Sequence, residues 1–205
     1  IPILESSSNL QFNKDFFCGY SPERINPGDK NRTLAKIMKV TSGSNKKSAQ
    51  IIDSLYKTII TAGTHMAPNI KVAEAAKVIE NSQRDVNIAF INEISIILDK
   101  LQIDTKKVLE AASTKWNFQK FTPGLVGGHC ISIDPYYLSF LANKNNLDAD
   151  VILSGRKINE FMSKYYANMI ISKLKYNNKK LSRSSILLLG FSFKENCSDF
   201  RNSKV

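Results

Sequence analysis

From residue 70 to about 101 the sequence holds neither Pro nor Gly and is rich in Ala, Glu, Lys and Ile. A run of this kind is a single helix, longer than the roughly 8–20 residues usual in globular proteins. A helix that long acts as a spine between domains or along a dimer interface. It also divides the chain, because the sequence on either side is of another kind.

Before it, residues 1–35 read as short extended pieces and loops, with two prolines and a glycine in SPERINPGDK. KIMKVTSG then reads as a strand ending in Ser and Gly. A helix over about 44–61 follows it, carrying Ile51, Ile52, Leu55, Tyr56 and Ile59 near the 3.6-residue period. Strand, glycine and helix in succession are the texture of an α/β sheet domain.

After the long helix, a shorter one is expected from Asp104 or Thr105, either of which can cap it. Next comes KFTPGLVGGHCISIDP, too rich in Gly and Pro to be a plain connector. A helix from Pro135 covers YYLSFLANK, and another runs from Asp150, as its cap, to about Tyr176. NNKKLSR reads as a polar linker and SSILLLGFSF as a buried strand. ENCSDFRNSKV reads as a loop and the first turn of a helix. The expected fold class is therefore α/β with a central all-α domain: the end of a Rossmann-type sheet domain, a long-helix domain and the start of a second α/β domain. The boundaries fall at 1–68, 69–182 and 183–205. The opening IPILESSSNL lacks Met and a secretory pattern, so the chain reads as an internal piece of a longer protein.

The net charge is +11. Between Arg156 and Arg183 eight basic residues face one acid, Glu160. A solvated lysine-rich helix face explains this, and no nucleic-acid-binding motif accompanies it. No apolar run approaches the ~18 residues that span a bilayer. Three dispersed cysteines, Cys18, Cys130 and Cys197, fit reduced thiols of a cytoplasmic protein, and two histidines are too few for a His-rich metal site.

Cys130 is the sharpest chemical candidate. It follows Gly127, Gly128 and His129, and glycines let a backbone approach a ligand closely. Asp134 lies at i+4, so a helical turn would bring its carboxylate toward the sulfur as a base for water. On the long helix Lys77 and Asn81 share a face. A desolvated lysine and an asparagine there suit a developing oxyanion. Against these stand a small buried Cys and an ordinary solvated helix face. Glu23, in the SPERINPG loop, could orient a water or bind a sugar hydroxyl. His129 is a loop ligand or a packing group, and Trp116 is expected to pack.

Four segments in this order, GYSPERINPGDK, AEAAKVIENSQRDVNIAFINE, KWNFQKFTPGLVGGHCISIDPYYL and LLLGFSFKENCSDFRNSKV, closely resemble the UDP-glucose/GDP-mannose dehydrogenase family. The nearest branch oxidises UDP-N-acetylhexosamines for surface polysaccharides. The resemblance implies an NAD-dependent, two-step oxidation of the sugar C6 alcohol through a cysteine thiohemiacetal and thioester. It implies Cys130 as nucleophile, Lys77 and Asn81 at the oxyanion, Asp134 near the thiol and Glu23 in water or substrate handling. It further implies substrate contacts from Glu23, Arg24, Lys77, Asn81, Gly127 and Lys194, and an Arg201 contact to the NAD pyrophosphate. A homodimer through the central helices is implied as well. The family's glycine-rich dinucleotide fingerprint is not among these residues, and Ser132 stands where many relatives have Pro or Gly. A noncatalytic dimerisation module, and a dehydrogenase acting on UDP-glucose or UDP-N-acetylmannosamine, are the competing readings.

Overall fold

The computed structural model describes residues 1–26, 28–192 and 194–205; Pro27 and Phe193, within two of the motifs above, lie outside the described residues. By its internal contacts the chain divides into two compact units, Ile1–Ile79 and Glu80–Val205.

The first unit contains a three-stranded sheet in the order β1-β2-β3, formed by Gly19–Tyr20, Lys39–Gly43 and Thr64–Met66. β1 runs antiparallel to β2, with Gly19 opposite Gly43. β3 runs parallel to β2, with Val40 opposite His65. Parallel neighbours need a crossover, and helix α2 (Lys46–Lys57) supplies it, making a βαβ unit. Asn45 caps α2 in a reciprocal capping box with Ser48. Gly43 is required at the strand end, because a Cβ there would collide with the Ala49 backbone as α2 packs against the sheet. Thr41, fully buried, donates to the Asp53 carboxylate at 2.8 Å, tying strand to helix. Val40, Ala67 and Ala73 form the core with Tyr20 packed on them.

Two features of this unit differ from the sequence reading. Pro2–Ser8 is a short helix, α1, where extended chain was expected. Pro at its first turn and Asn9 in the left-handed conformation at its end start and stop it. β3 has only three residues, Thr-His-Met, too few to show a period of two.

α3 spans Ile70–Lys100, as the uninterrupted pattern required. In the second unit α4 (Thr105–Ala112) is capped by Asp104, whose carboxylate accepts the amides of Lys106 and Lys107. α5 covers Asp134–Lys144 and α6 covers Asp150–Tyr176. Asp150 is the first residue of α6 and not its cap; Ala149 holds the cap position. A carboxylate in the first turn still complements the helix dipole.

The strand expected at 184–193 is not formed over the described residues 184–192. A strand exists by pairing, and no described strand lies alongside to pair with it. Leu187 and Leu189 stand 82% and 89% exposed as a result. Residues 195–205 form turns and loop, without the helical turn expected there. Trp116 does not pack: in the turns after α4 it is 92% exposed. The fold class is nonetheless α/β with a central all-α domain. Among the described residues no helix is long and apolar enough to cross a membrane.

Candidate active site

In the second unit the glycine-rich loop between α4 and α5 is shaped by polar anchors that lie far away in sequence. Asn92, fully buried on α3, holds Gly124 through both its backbone groups. Its amide donates to the Gly124 carbonyl at 3.0 Å and its carbonyl oxygen accepts the Gly124 N–H at 2.8 Å. The same amide donates to Asn159 Oδ1 of α6 at 2.9 Å. Asn159 in turn donates to the Asp85 carboxylate at 2.8 Å and to its backbone carbonyl at 3.0 Å. Arg156 reaches the same carboxylate at 2.7 Å and also pairs with Glu160. The Arg156 guanidinium lies over the Tyr136 ring of α5, 5.6 Å from its centroid. Burial pushes the Asp85 carboxyl above its usual range, against the pull of Arg156. Glu160 shifts the other way: its burial is outweighed by Lys204 and Arg156.

The C-terminal segment closes the other side of the loop. Gly128 (φ 85°) donates its N–H to the Asn202 carbonyl at 3.2 Å. A Cβ on Gly127 would lie 2.6 Å from that carbonyl oxygen, so only glycine permits the approach. Lys204 joins Glu160 of α6, fixing the segment further. Ser132, buried, donates its hydroxyl to the Gly128 carbonyl and closes the loop on itself.

These restraints present Cys130 at the surface just before α5. The Asp134 N–H donates to the Cys130 carbonyl at 2.9 Å, so the segment does coil into a helical turn. The Asp134 carboxylate accepts the Asn81 side-chain amide at 2.5 Å, joining two candidates 53 residues apart. Lys77 is one turn before Asn81 on α3 and is half-buried. The Cys130 sulfur lies 3.4 Å from His129 Nδ1. His129 Nε2 lies 3.3 Å from the Asp199 carboxylate. Arg201 grips Asp199 through Nε at 2.9 Å and Nη2 at 2.7 Å. The Arg201 fork holds the Asp199 carboxyl well below the usual carboxylate range.

Glu23 and Arg24 belong to the first unit. Glu23 Oε1 accepts the N–H groups of Arg24 and Ile25, each at 2.7 Å. Lys39, buried beneath it, approaches Oε2 at 3.6 Å and donates to the Pro22 carbonyl at 3.0 Å. Burial acts to raise the Glu23 carboxyl, but these backbone amides and Lys39 win and hold it low. Arg24 donates to the Met38 carbonyl at 2.8 Å. Lys194, near the C-terminal end, accepts the Ser192 hydroxyl on its carbonyl at 2.6 Å.

Sequence reasoning named Cys130, Asn81 and Asp134, but it missed Asn92, Asn159, Asp85, Arg156 and Asp199. Asn92, Asn159, Asp85 and Arg156 are solitary polar residues with no local motif, and their one signal was a position on the long helices α3 and α6. Asp199 lies in a loop beside Arg201, with nothing local to place it against His129.

Comparison with known proteins agrees with this architecture. Residues 71–161 match the central domain of the UDP-glucose/GDP-mannose dehydrogenase family. Over all 205 residues the chain is 55% identical to UDP-N-acetyl-D-glucosamine 6-dehydrogenase of Pseudomonas aeruginosa, covering 49% of that protein. It is 53% identical to the enzyme of the same name from Salmonella typhi, covering 48%. The structure of UDP-D-ManNAc dehydrogenase from Pyrococcus horikoshii superposes with a TM-score of 0.88 at 32% identity, over 99% of this chain and 48% of that one. The chain thus spans about half the length of the curated relatives it matches. The middle segment matches the central domain of the UDP-glucose/GDP-mannose dehydrogenase family, and the chain is similar over its whole length to about half of each of these dehydrogenases.

Proposed function

We propose that this chain is the catalytic middle of an NAD-dependent UDP-N-acetylhexosamine 6-dehydrogenase, which oxidises the C6 alcohol to the carboxylate in two steps. The observation that carries the reading is the loop itself: an exposed thiol at Cys130 ahead of a helix whose first carboxylate, Asp134, is gripped by Asn81. The identity to two proteins named UDP-N-acetyl-D-glucosamine 6-dehydrogenase favours N-acetylglucosamine as the sugar over N-acetylmannosamine.

In this reading the Cys130 thiolate adds to the C6 aldehyde and traps it as a thiohemiacetal. Asn81 and Lys77 carry the negative charge that builds on the C6 oxygen. Asp134, oriented by Asn81, takes a proton from the water that hydrolyses the later thioester. Glu23, kept ionised by its backbone amides, handles a water or sugar hydroxyl, with Arg24 and Gly127 lining the substrate. Lys194 and Arg201 supply fixed positive charge for the diphosphates of substrate and cofactor. The fit to NAD rests on Arg201, which is forked to Asp199 yet 75% exposed at its side chain. Bound NAD would supply the hydride acceptor.

The domain reading is the end of an NAD-binding domain over 1–68, a dimerisation domain over 69–182 and the beginning of a UDP-binding domain from 183. Exposed Phe90 and Ile97 on α3 and Phe161 on α6 support a homodimer through the central helices. Surface-polysaccharide synthesis in the cytoplasm is the corresponding setting. The test uses the full-length enzyme with UDP-N-acetylglucosamine and NAD. Cys130→Ser should abolish uronate formation by at least about 10³-fold, and an unchanged rate rejects the nucleophile.

A further inference from the structure

Three side chains, Cys130, His129 and Asp199, stand in line, and only Cys130 belongs to the reading above. The Cys130 sulfur is 3.4 Å from His129 Nδ1, and His129 Nε2 is 3.3 Å from Asp199 Oδ2. We propose that His129 accepts the proton of the Cys130 thiol, with Asp199 holding the imidazole in the tautomer and orientation that this transfer requires. The inference rests on Cys130 being the nucleophile.

The chain of contacts has a direction. Asp199 is fixed by the Arg201 fork on both carboxylate oxygens, at 2.9 and 2.7 Å, and its N–H-accepting face is turned to His129. A carboxylate opposite Nε2 keeps the imidazole proton on that nitrogen. Nδ1 is then a lone pair facing the sulfur. The S–H bond breaks, an Nδ1–H bond forms, and the resulting imidazolium lies between thiolate and carboxylate. When the thiolate adds to a carbonyl carbon, the same proton neutralises the new alkoxide. Atoms and charge balance, and no electron leaves the pair. Nucleophile, base and orienting acid in series is an arrangement that recurs on unrelated folds.

The fold goes to some length to produce this line. Asp199 comes from the C-terminal segment, which docks on the loop only because Gly127 has no side chain and Gly128 adopts a positive φ. Arg201, behind Asp199, and Asp134, one turn beyond Cys130, are the other charged groups of the cluster. Both Cys130 and His129 are exposed, so a substrate can reach the sulfur without displacing the imidazole.

The test reads the thiol directly. Iodoacetamide alkylation of Cys130 in the full chain is followed by peptide-resolved mass spectrometry from pH 5.5 to 10. His129→Asn should slow alkylation at pH 7 by about tenfold, because the thiol then has no base beside it. Asp199→Asn should give a smaller slowing, about threefold, in the same direction. Profiles of both variants lying on that of the parent overturn the proposal; should His129→Asn fail to fold, the Asp199→Asn profile alone decides it in the same way. Loss of uronate formation in Cys130→Ser beside unchanged alkylation profiles would remove the relay and keep the dehydrogenase reading. Shifted profiles beside a fully active Cys130→Ser would reject Cys130 as the nucleophile and, with it, any catalytic part for the relay.

Discussion

The loop around Glu23 and the loop around Cys130 both present candidate residues, but they are built by opposite means. The Glu23 carboxylate is satisfied by the amides of the next two residues and by Lys39, sixteen positions on. The Cys130 loop takes its shape from Asn92, Asn159, Asp85, Asn202 and Lys204, contributed by α3, α6 and the C-terminal segment. A locally satisfied loop keeps its conformation wherever it is placed. A loop held by remote partners keeps its conformation only while the whole unit is folded, and couples its reactive group to the stability of that unit.

That contrast can be broken most severely at Asp85. Asp85→Ala leaves Arg156 buried beside an empty site, and truncating one member of such a pair costs about 3–5 kcal/mol. Thermal unfolding should therefore shift strongly down; a shift within error would mean the network carries no structural weight. Asn92→Ala removes three hydrogen bonds and strands the Gly124 groups, costing about 2–3 kcal/mol. Hydrogen exchange should rise in residues 123–133 and stay unchanged in residues 21–26. Gly127→Ala sets a Cβ against the Asn202 carbonyl and should cost about 1–3 kcal/mol, with exchange rising in residues 199–203.

A pH titration sharpens the comparison in a different way. Asp199 has a folded-state value depressed below 3.8, mainly by Arg201, and Glu160 one depressed below 4.5, against its own burial, by Lys204 and Arg156. A depressed carboxylate contributes stability that is complete above its unfolded value and is lost as pH falls through its folded one. The docking of residues 199–204 should accordingly be constant above about pH 5 and loosen below about pH 4, read by exchange or limited proteolysis. The smallest effect is expected for Glu23→Gln, whose side chain is 61% exposed: under about 1 kcal/mol, with no change at Cys130 alkylation. A Glu23→Gln effect as large as that of Asn92→Ala would erase the distinction between the two loops.

The same distinction explains what could be read in the sequence. Helices α2 to α6 were legible because each carries its own signal: apolar periodicity, a capping Asp104, or the absence of Pro and Gly from 70 to 100. Gly127, Gly128, Cys130 and Asp134 were legible because they crowd into one short segment. β3 was not, since its stability comes from pairing with β2 and three residues show no pattern. The strand expected at 184–193 failed for the complementary reason: an apolar run has the composition for a strand but still needs a neighbour. Asp199 stood in view beside Arg201 as part of a motif, yet nothing in the linear order places it against His129.

The docking of residues 199–203 on Gly127 and Gly128 also sets an order of events during synthesis. The thiol-bearing segment leaves the ribosome well before the stretch that completes its surroundings, so its final shape waits for translation to reach Ser203. Until then the sulfur is an ordinary side chain on a nascent peptide, and a ribosome stalled between the two would release a product whose reactive centre had never been assembled.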